Sequence, residues 1–333
     1  TELMAREQGL TVDNAGFERD MEQQRARARA AQKKEVIEVS QISAEVATTF
    51  VGYDDMETTA RVVDVLSVKS RTVVLLDRSA CYAEMGGQVG DAGLLRQGGT
   101  IWRVVDTQKS GGAWLHFVDG QDAPEKGAEV VLSVDLARRG AIQRHHTVTH
   151  LLHWALHEVA NREASQKGSF VGPDKLTFDF NSAPLTPVQV HDIEKLVNER
   201  ILENAGVSWT EMPYASVKSR KEVMQFFGDK YGELVRVVQV GGKAGSLDGY
   251  SMERCGGTHT RATGEIGLFR IVSEGAIAAG VRRVEAVAGM AAWQRNADDL
   301  RVLKSVAGTL NIAPNELEKR VEAVLAHQKE LEK

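Results

Sequence analysis

The chain has 333 residues, of which 42% are hydrophobic and 26% are charged, and it carries a formal net charge of −5. This length allows two or three domains with buried cores, and the composition is typical of an ordered globular protein. The negative charge argues against nucleic-acid binding over the whole surface, so an RNA contact would need a local basic patch. No apolar run approaches the roughly 20 residues of a membrane-spanning helix.

The termini and the cysteines indicate the setting of the chain. The first residue is Thr1 rather than Met, and the last residues continue a charged helical pattern, so we expect both ends to continue in a longer protein. The N-terminus is polar and charged, unlike a secretory signal peptide. Two cysteines, Cys81 and Cys255, are too few for a disulfide framework. We therefore expect a reducing, cytoplasmic location.

The residue pattern predicts an α+β chain in four segments. Residues 1–36 are predicted to form an N-terminal helix with basic residues near its end. Over 37–137, short β-branched runs alternate with glycine-rich turns, which is typical of a small antiparallel β-barrel. The predicted strands include Thr58–Val65, Thr72–Leu76, Ile101–Val105 and Glu129–Val134, and the turns include Gly86–Gly87, Gly98–Gly99 and Gly111–Gly112.

The third segment, 138–287, mixes helical and strand patterns and is predicted to be an α+β domain. Thr186 is a predicted N-cap with Pro187 in the first helical position. An apolar stripe on that helix runs through Val188, Ile193, Leu196, Val197 and Ile201. The other predicted elements are a helix over Thr147–Ala160, a strand over Lys175–Phe180, and buried strands over Leu234–Val240 and Gly267–Val272.

The fourth segment, 288–333, is helical. Leucine and valine recur at steps of three and four residues, and Pro314 starts a second helical stretch after a break at 311–313. This pattern predicts a helical hairpin or a short coiled coil.

A pair of histidines on the predicted helix is the first sign of chemistry. His146 and His150 are four residues apart, which places both imidazoles on one helix face, about one turn apart. That spacing suits a shared zinc ion, Zn2+. Helical proteins often carry such pairs without a metal. His145, His153 and His157 on the same helix are predicted to lie on its surface or to support the ligands rather than to bind metal.

A second pair strengthens the metal interpretation. Cys255 and His259 are also four apart, and Gly256 and Gly257 between them let the backbone turn tightly. Taken alone, this pair also fits a buried cysteine beside a loop histidine. The two pairs together offer three imidazole nitrogens and one thiolate, which is a reasonable zinc set.

Two other classes of zinc enzyme do not fit these motifs. Zinc peptidases of the HExxH type place a glutamate after the first histidine, where this chain has Thr147. Nucleobase deaminases use a Cys-x-x-Cys pair, which the sequence lacks. We also find no Asp or Glu that stands out beside the zinc motifs as a general base.

The chain contains a series of motifs: Met4–Leu10 through Arg25–Ala28, Tyr82–Glu84, Gly86–Asp91, His146–Leu152, Ser165–Ser169, Phe227–Gly232, Cys255–His259, Gly267–Glu274 and Gly280–Ala286. In this order they resemble the editing region of bacterial alanyl-tRNA synthetases, and the resemblance runs along almost the whole chain. Met85, Arg254 and a longer loop over 241–250 depart from the family pattern. No segment resembles the family's ATP-dependent aminoacylation domain.

The resemblance implies zinc as cofactor, with His146, His150, Cys255 and His259 as its ligands, and Thr149 and Gln166 lining an amino-acid pocket. It implies hydrolysis of tRNA(Ala) mischarged with serine or glycine, and a parent enzyme that oligomerises through a C-terminal region beyond this chain. In these terms, 1–36 would end a tRNA-recognition region and 288–333 would be a linker. Two alternatives stay open: a free-standing deacylase, and a non-catalytic, zinc-stabilised tRNA-binding module.

Overall fold

The computed structural model describes Asp13, Gly16 and residues 47–68, 70–220, 222–224 and 233–332. The predicted helix over 1–36, apart from Asp13 and Gly16, and the Phe227–Gly232 motif lie outside the described residues. The chain divides into two units, one of 1–83 with 90–134 and the other of 84–89 with 135–333. The predicted division into four segments stays a prediction.

The first unit is a closed barrel of six strands, each antiparallel to its neighbours, which confirms the predicted barrel. Around the barrel the order is β2, β3, β7, β6, β5, β8, and β8 pairs back with β2. A parallel pair, β1 (Thr49–Phe50) and β4 (Arg78–Ser79), accompanies it. The barrel strands are β2 (Glu57–Val68), β3 (Arg71–Leu76), β5 (Gly93–Gln97), β6 (Thr100–Ser110), β7 (Ala113–Val118) and β8 (Glu129–Val134).

Alternating side chains explain why the barrel closes around a core. In β2, residues 58, 60 and 62 are buried while their neighbours 57, 59 and 61 are exposed, as expected for strands with one inward face. Gly98 and Gly111, both with φ of 57°, form the turns between β5 and β6 and between β6 and β7. The glycine-rich turns predicted at these two places are therefore confirmed.

A buried histidine in the barrel makes the stability of this unit depend on pH. His116, on β7, is fully buried, and burial lowers its pKa from 6.5 to about 4. Its Nδ1 lies 3.1 Å from the Val74 carbonyl oxygen, which only accepts hydrogen bonds, so Nδ1 carries the proton. Nε2 then accepts from the Ser79 hydroxyl at 2.8 Å.

Because the folded pKa lies below the unfolded one, stability present above pH 6.5 is lost as the pH falls toward 4. We expect His116 to remove about 2 kcal/mol of unfolding free energy between pH 7 and pH 5. Urea unfolding of wild type and His116→Gln at both pH values measures this, and the variant's loss should be smaller by that amount. Equal losses, or an NMR titration of His116 near 6.5, would contradict the prediction.

The second unit combines two sheets with helices. Strands β9 (Gln166–Val171), β10 (Leu176–Asn181), β14 (Phe269–Ala278) and β15 (Val281–Ala288) form a sheet in the order β14-β15-β10-β9. Strands β11 (Val207–Pro213), β12 (Leu234–Val240) and β13 (Ser251–Arg254) form the other in chain order. The helices are α1 (Leu136–Val159), α2 (Pro187–Leu202), α3 (Tyr214–Val217), α4 (Met290–Thr309) and α5 (Leu317–Leu331), with 3-10 turns at Thr263–Ile266 and Pro314–Glu316.

One hydrophobic core joins α1, α2 and the four-stranded sheet of this unit. Leu151 and Leu152 of α1, Ile193 of α2, and Phe178 and Phe180 of β10 are all at most 1% exposed. At about 25 cal/mol per Å² of apolar surface, burying one such side chain contributes roughly 1.5–3 kcal/mol. This packing fixes α1 against the sheet and so fixes the position of the histidines on α1.

Most of the helix and strand predictions for this unit are confirmed. Thr186 caps α2 with a complete capping box: its hydroxyl accepts from Gln189 N, and the Gln189 side chain accepts from Thr186 N. Two details were wrong. Val188 is 67% exposed because it lies in the first turn of α2, outside the buried stripe. The strand predicted from Gly267 begins at Phe269, since Gly267, with φ of 73°, ends a 3-10 turn.

The C-terminal segment is helical, with the second stretch starting at Pro314 as predicted. The apolar residues of α4 and α5 that form the predicted stripe, such as Leu300, Val324 and Leu325, are largely exposed. A coiled coil therefore stays a prediction. Within the described part of the chain, no helix has the length and apolar character required to cross a membrane.

Candidate metal centre

Helix α1 presents the first histidine pair from a buried face. The Asp135 side chain caps the helix by accepting from Arg138 N at 3.0 Å. His146 and His150, 7% and 3% exposed, follow on the face turned toward the unit's interior. Their ring centroids are 5.5 Å apart. The prediction that these two imidazoles share one side of the helix is confirmed.

The loop after β13 carries the second pair. The Arg236 guanidinium on β12 donates to the carbonyl oxygens of Cys255 and Gly257, at 2.8 and 2.9 Å, and so fixes the course of this loop. Gly257 packs so closely on the His146 imidazole that a Cβ there would overlap the ring. A glycine is therefore required at this position because of the close approach to the imidazole, whereas the sequence suggested a tight backbone turn.

The two pairs meet in one group. One nitrogen from each of the three histidines and the Cys255 sulfur all lie within 4.8 Å of one another. The sulfur is 3.3 Å from Nε2 of His146 and 3.3 Å from Nε2 of His259. The structure thus brings together all four predicted ligands, His146, His150, Cys255 and His259, from segments more than 100 residues apart.

The outer nitrogens of the three rings face other side chains of this unit. Nδ1 of His146 lies 2.7 Å from the Gln88 amide oxygen, and Nδ1 of His259 lies 3.2 Å from the Thr147 hydroxyl. Nδ1 of His150 is buried and has no hydrogen bond to any residue that the structure describes, and the Glu253 carboxylate is 3.6 Å away. With Nδ1 of each ring turned toward these side chains, Nε2 of His146, His150 and His259 is left available to a metal.

Glu253 is the carboxylate that the sequence did not reveal beside the motifs. It lies on β13, is 4% exposed, and its other oxygen is 2.9 Å from His153 Nδ1. Burial acts to raise the pKa of Glu253, but His150 and His153 outweigh it and hold the pKa below its usual value. Burial acts to lower the pKa of His153, and the nearby carboxylate reverses this and raises it. The two side chains therefore form a buried ion pair behind His150.

The protonation of the four candidate ligands suits a metal. Burial lowers the pKa of His146 and of His259 well below 6.5, so both imidazoles are neutral with a free lone pair. Burial also lowers the pKa of His150. Burial raises the pKa of the Cys255 thiol to about 11, although the nearby Arg236 guanidinium acts in the opposite direction.

A divalent metal would stabilise the thiolate and use the three neutral nitrogens. Three imidazoles and one thiol form a donor set that zinc prefers. The residues present therefore fit a zinc ion.

The two predicted pocket residues, Thr149 and Gln166, form hydrogen bonds with residues close to them in sequence. Thr149 is adjacent to the candidate ligand His150, and Gln166 is on β9. Thr149, 5% exposed on α1, donates its hydroxyl proton to the His145 carbonyl oxygen at 2.7 Å. Gln166 is the first residue of β9, and its amide donates to the Ser169 hydroxyl at 2.9 Å. Their roles toward a substrate stay predictions.

The surroundings of His145 differ from those predicted. His145, expected on the surface or behind the ligands, is 1% exposed and joins α1 to the sheet: Nδ1 donates to the Gly172 carbonyl oxygen at 2.7 Å, and Nε2 accepts from Ala288 N at 3.0 Å.

Sequence reasoning missed the residues that surround the ligands. The Gly86–Asp91 motif includes Gln88 and the predicted strand Leu234–Val240 includes Arg236, but neither residue was given a role, and no element was predicted around Glu253. Glu253 carried a weak signal, since it is two residues before Cys255 in sequence. Gln88 lies within the Gly86–Asp91 motif, but nothing in the sequence connected it with His146, which is 58 residues away.

Two families match the sequence. Residues 1–138 match the family described as tRNA synthetases class II (A), and residues 235–285 match the second additional domain of threonyl and alanyl tRNA synthetases. The second match includes β12 from its second residue onward, β13 and the loop with Cys255 and His259. The first match covers residues 1–138. In our sequence analysis, no segment of these residues resembled the family's aminoacylation domain.

Individual relatives agree with these matches. The chain is similar to the alanine–tRNA ligase of Akkermansia muciniphila, with 50% identity over 296 residues, 88% of this chain and 31% of that protein. It is 45% identical to that of Methylacidiphilum infernorum over 88% of this chain and 30% of that protein. For Opitutus terrae the identity is 41%, over 100% of this chain and 36% of that protein. The chain thus spans about a third of the length of these relatives.

Proposed function

Because this chain belongs to the alanyl-tRNA synthetase family, we propose that it forms the zinc-dependent editing part of an alanine–tRNA ligase and hydrolyses tRNA(Ala) mischarged with serine or glycine. The observation that carries the proposal is the gathering of His146, His150, Cys255 and His259 into one buried group. A match to the additional domain of threonyl and alanyl tRNA synthetases includes the two ligands on the loop. We place the reaction in the cytoplasm, where a free thiol at Cys255 would persist.

The bond to be broken is the ester between an amino acid and the terminal ribose of the tRNA. When bound, zinc supplies a positive charge that can polarise the ester carbonyl, lower the pKa of a water or hold the substrate amino group. The chain itself orients the site. Gln88 and Thr147 engage the outer nitrogens of His146 and His259, and Glu253 faces that of His150.

Seryl-tRNA(Ala) is the expected main substrate because an alanine site in the synthetic domain rejects one added hydroxyl poorly. A second site selects for serine by giving that hydroxyl a hydrogen bond. We propose Thr149 for this contact, with Gln166 as a second residue of the amino-acid pocket. Since Thr149 donates its own proton to His145, its hydroxyl oxygen would accept the proton of the serine hydroxyl.

The test is single-turnover deacylation of seryl-, glycyl- and alanyl-tRNA(Ala) by the purified chain. We expect the seryl and glycyl esters to be hydrolysed faster than the alanyl ester. Removing zinc with a chelator should abolish the reaction, and adding zinc back should restore it. If the chain binds the tRNA but hydrolyses none of the three esters, it is a zinc-stabilised binding module. Hydrolysis that is indifferent to the chelator would reject the metal.

Replacing Thr149 with valine should reduce the preference for serine. A lost hydrogen bond of about 1 kcal/mol lowers the seryl-to-alanyl rate ratio about fivefold. Thr72→Val is the matched control, because Thr72 is a buried barrel threonine whose hydroxyl donates to the Gly120 carbonyl oxygen at 2.9 Å. The control should keep the wild-type ratio. An unchanged ratio in Thr149→Val would remove Thr149 as the selector and leave Gln166 as the next residue to test.

A further inference from the structure

Gln88 lies in the short segment 84–89, which belongs to the second unit although it falls between two barrel strands in sequence. Hydrogen bonds on both sides of Gln88 attach its backbone to β9: Val171 N donates to the Gly87 carbonyl oxygen at 2.8 Å, and Val89 N donates to the Val171 carbonyl oxygen at 3.1 Å. The Gln88 side chain is fully buried. The hydrogen bonds to β9 therefore fix the backbone of Gln88, and burial restricts its side chain.

The side-chain amide of Gln88 contacts both halves of the candidate metal site. Its oxygen accepts from Thr258 N at 2.9 Å and lies 2.7 Å from His146 Nδ1, while its NH2 group donates to the Thr258 hydroxyl at 3.0 Å. Thr258 lies between the candidate ligands Cys255 and His259. One side chain thus connects α1 to the loop that completes the ligand set.

These contacts determine which nitrogen of His146 carries the proton. A backbone N–H only donates, so the atom that faces Thr258 N must be the amide oxygen of Gln88. That same oxygen faces His146 Nδ1, which must then donate. The proton on Nδ1 leaves the lone pair on Nε2, 3.3 Å from the Cys255 sulfur.

We infer that Gln88 is a positioning residue of this site, which holds His146 in the tautomer that binds metal and keeps the 255–259 loop against α1 before the metal arrives. The inference rests on the proposed zinc site. Gln88 acts through His146 and Thr258, and it needs no contact with the substrate. Losing such an outer partner of a ligand typically lowers metal affinity about 10–100-fold.

The experiment compares Gln88→Met with Gln88→Glu. Methionine keeps the approximate shape and removes every hydrogen bond, so zinc affinity should fall about 10–100-fold in competition with a coloured chelator. Glutamate still accepts from His146 and from Thr258 N, and the Thr258 hydroxyl can turn to donate to it. Gln88→Glu should therefore retain most of the affinity that Gln88→Met loses.

Gln239→Met is the matched control for packing and lost hydrogen bonds. Gln239, on β12, is 2% exposed, and its amide donates to the carbonyl oxygens of Gly241 and Lys243 at 3.1 and 2.8 Å. The control should lose thermal stability but keep the zinc affinity of wild type. When cobalt is bound in place of zinc, its absorption spectrum reports the geometry of the ligands. Gln88→Met should shift this spectrum, whereas a change in packing alone, as in Gln239→Met, should leave it unchanged.

Long-range proton–nitrogen NMR on the metal-free chain gives a readout independent of zinc. Wild type should show His146 protonated on Nδ1, and Gln88→Met should show a mixture of tautomers. If wild type binds zinc but Gln88→Met binds it equally well with an unchanged His146 signal, the inference alone is overturned. If wild type binds no zinc, the proposed metal site and the inference fail together.

Discussion

Replacing Cys255 with alanine is expected to remove zinc from the chain and to end ester hydrolysis. The Cys255 sulfur is the only thiol in the group of four candidate ligands, and it lies 3.3 Å from Nε2 of two of the three histidines. Loss of a direct ligand should cost more than loss of an outer partner, so we expect zinc affinity to fall by more than about 100-fold. The measurement is zinc content per chain after dialysis, together with single-turnover deacylation.

Cys81→Ala is the matched control for Cys255→Ala. Cys81 is fully buried in the first unit and belongs to the barrel core. Its removal should lower the stability of the barrel while zinc content and deacylation stay at the wild-type level. A Cys255→Ala chain that retains about one zinc, or that hydrolyses seryl-tRNA(Ala) at the wild-type rate, would remove Cys255 from the site.

Among the substitutions considered, replacing Glu253 with methionine should cause the largest loss of unfolding free energy. The variant leaves His153 buried opposite no carboxylate, and losing one partner of a buried ion pair costs about 3–5 kcal/mol. The same variant removes the carboxylate that faces His150 Nδ1, so zinc affinity should fall as well. Glu253→Gln keeps an acceptor for His153 and should lose less of the unfolding free energy.

The measurement for Glu253 is urea unfolding of the metal-free chain, followed by zinc competition on the folded protein. Glu285→Gln is the control, because Glu285 forms an ion pair of 2.8 Å with Lys175 in the same unit but at partly exposed positions. Exposed pairs are worth about 0–1 kcal/mol. If Glu253→Met unfolds at the same urea concentration as Glu285→Gln, the buried pair is not the stabilising contact we describe.

The elements that were predictable are those whose signals are local. The Thr186–Pro187 start of α2 was predictable because a cap needs only the next three residues. The barrel strand Glu129–Val134 has the bounds that its β-branched run suggested. Val188 was misjudged because helical periodicity does not show which end of an apolar stripe extends beyond the core.

The ligands were predictable for a different reason than their surroundings. His146 with His150, and Cys255 with His259, are each four residues apart. Neither pair is distinctive alone, but together they form a donor set that zinc prefers, which is visible in sequence. Gln88, in contrast, is an ordinary polar residue whose role comes from a contact with a histidine 58 residues away. Contacts of this range depend on the packing of β9 and the loop, which neither composition nor periodicity encodes locally.

The path of residues 84–89 has a consequence for how this molecule can be divided. The chain leaves the barrel unit after Ala83, contributes Gln88 to the other unit, returns at Gly90 and leaves again after Val134. A fragment that begins at residue 135 would include all four candidate ligands but lack the amide that contacts His146. Gene fusion or recombination at that apparent boundary would therefore transfer an incomplete site. A fragment with the complete candidate site must therefore include the barrel in the same polypeptide, or be supplied with residues 84–89 as a separate peptide.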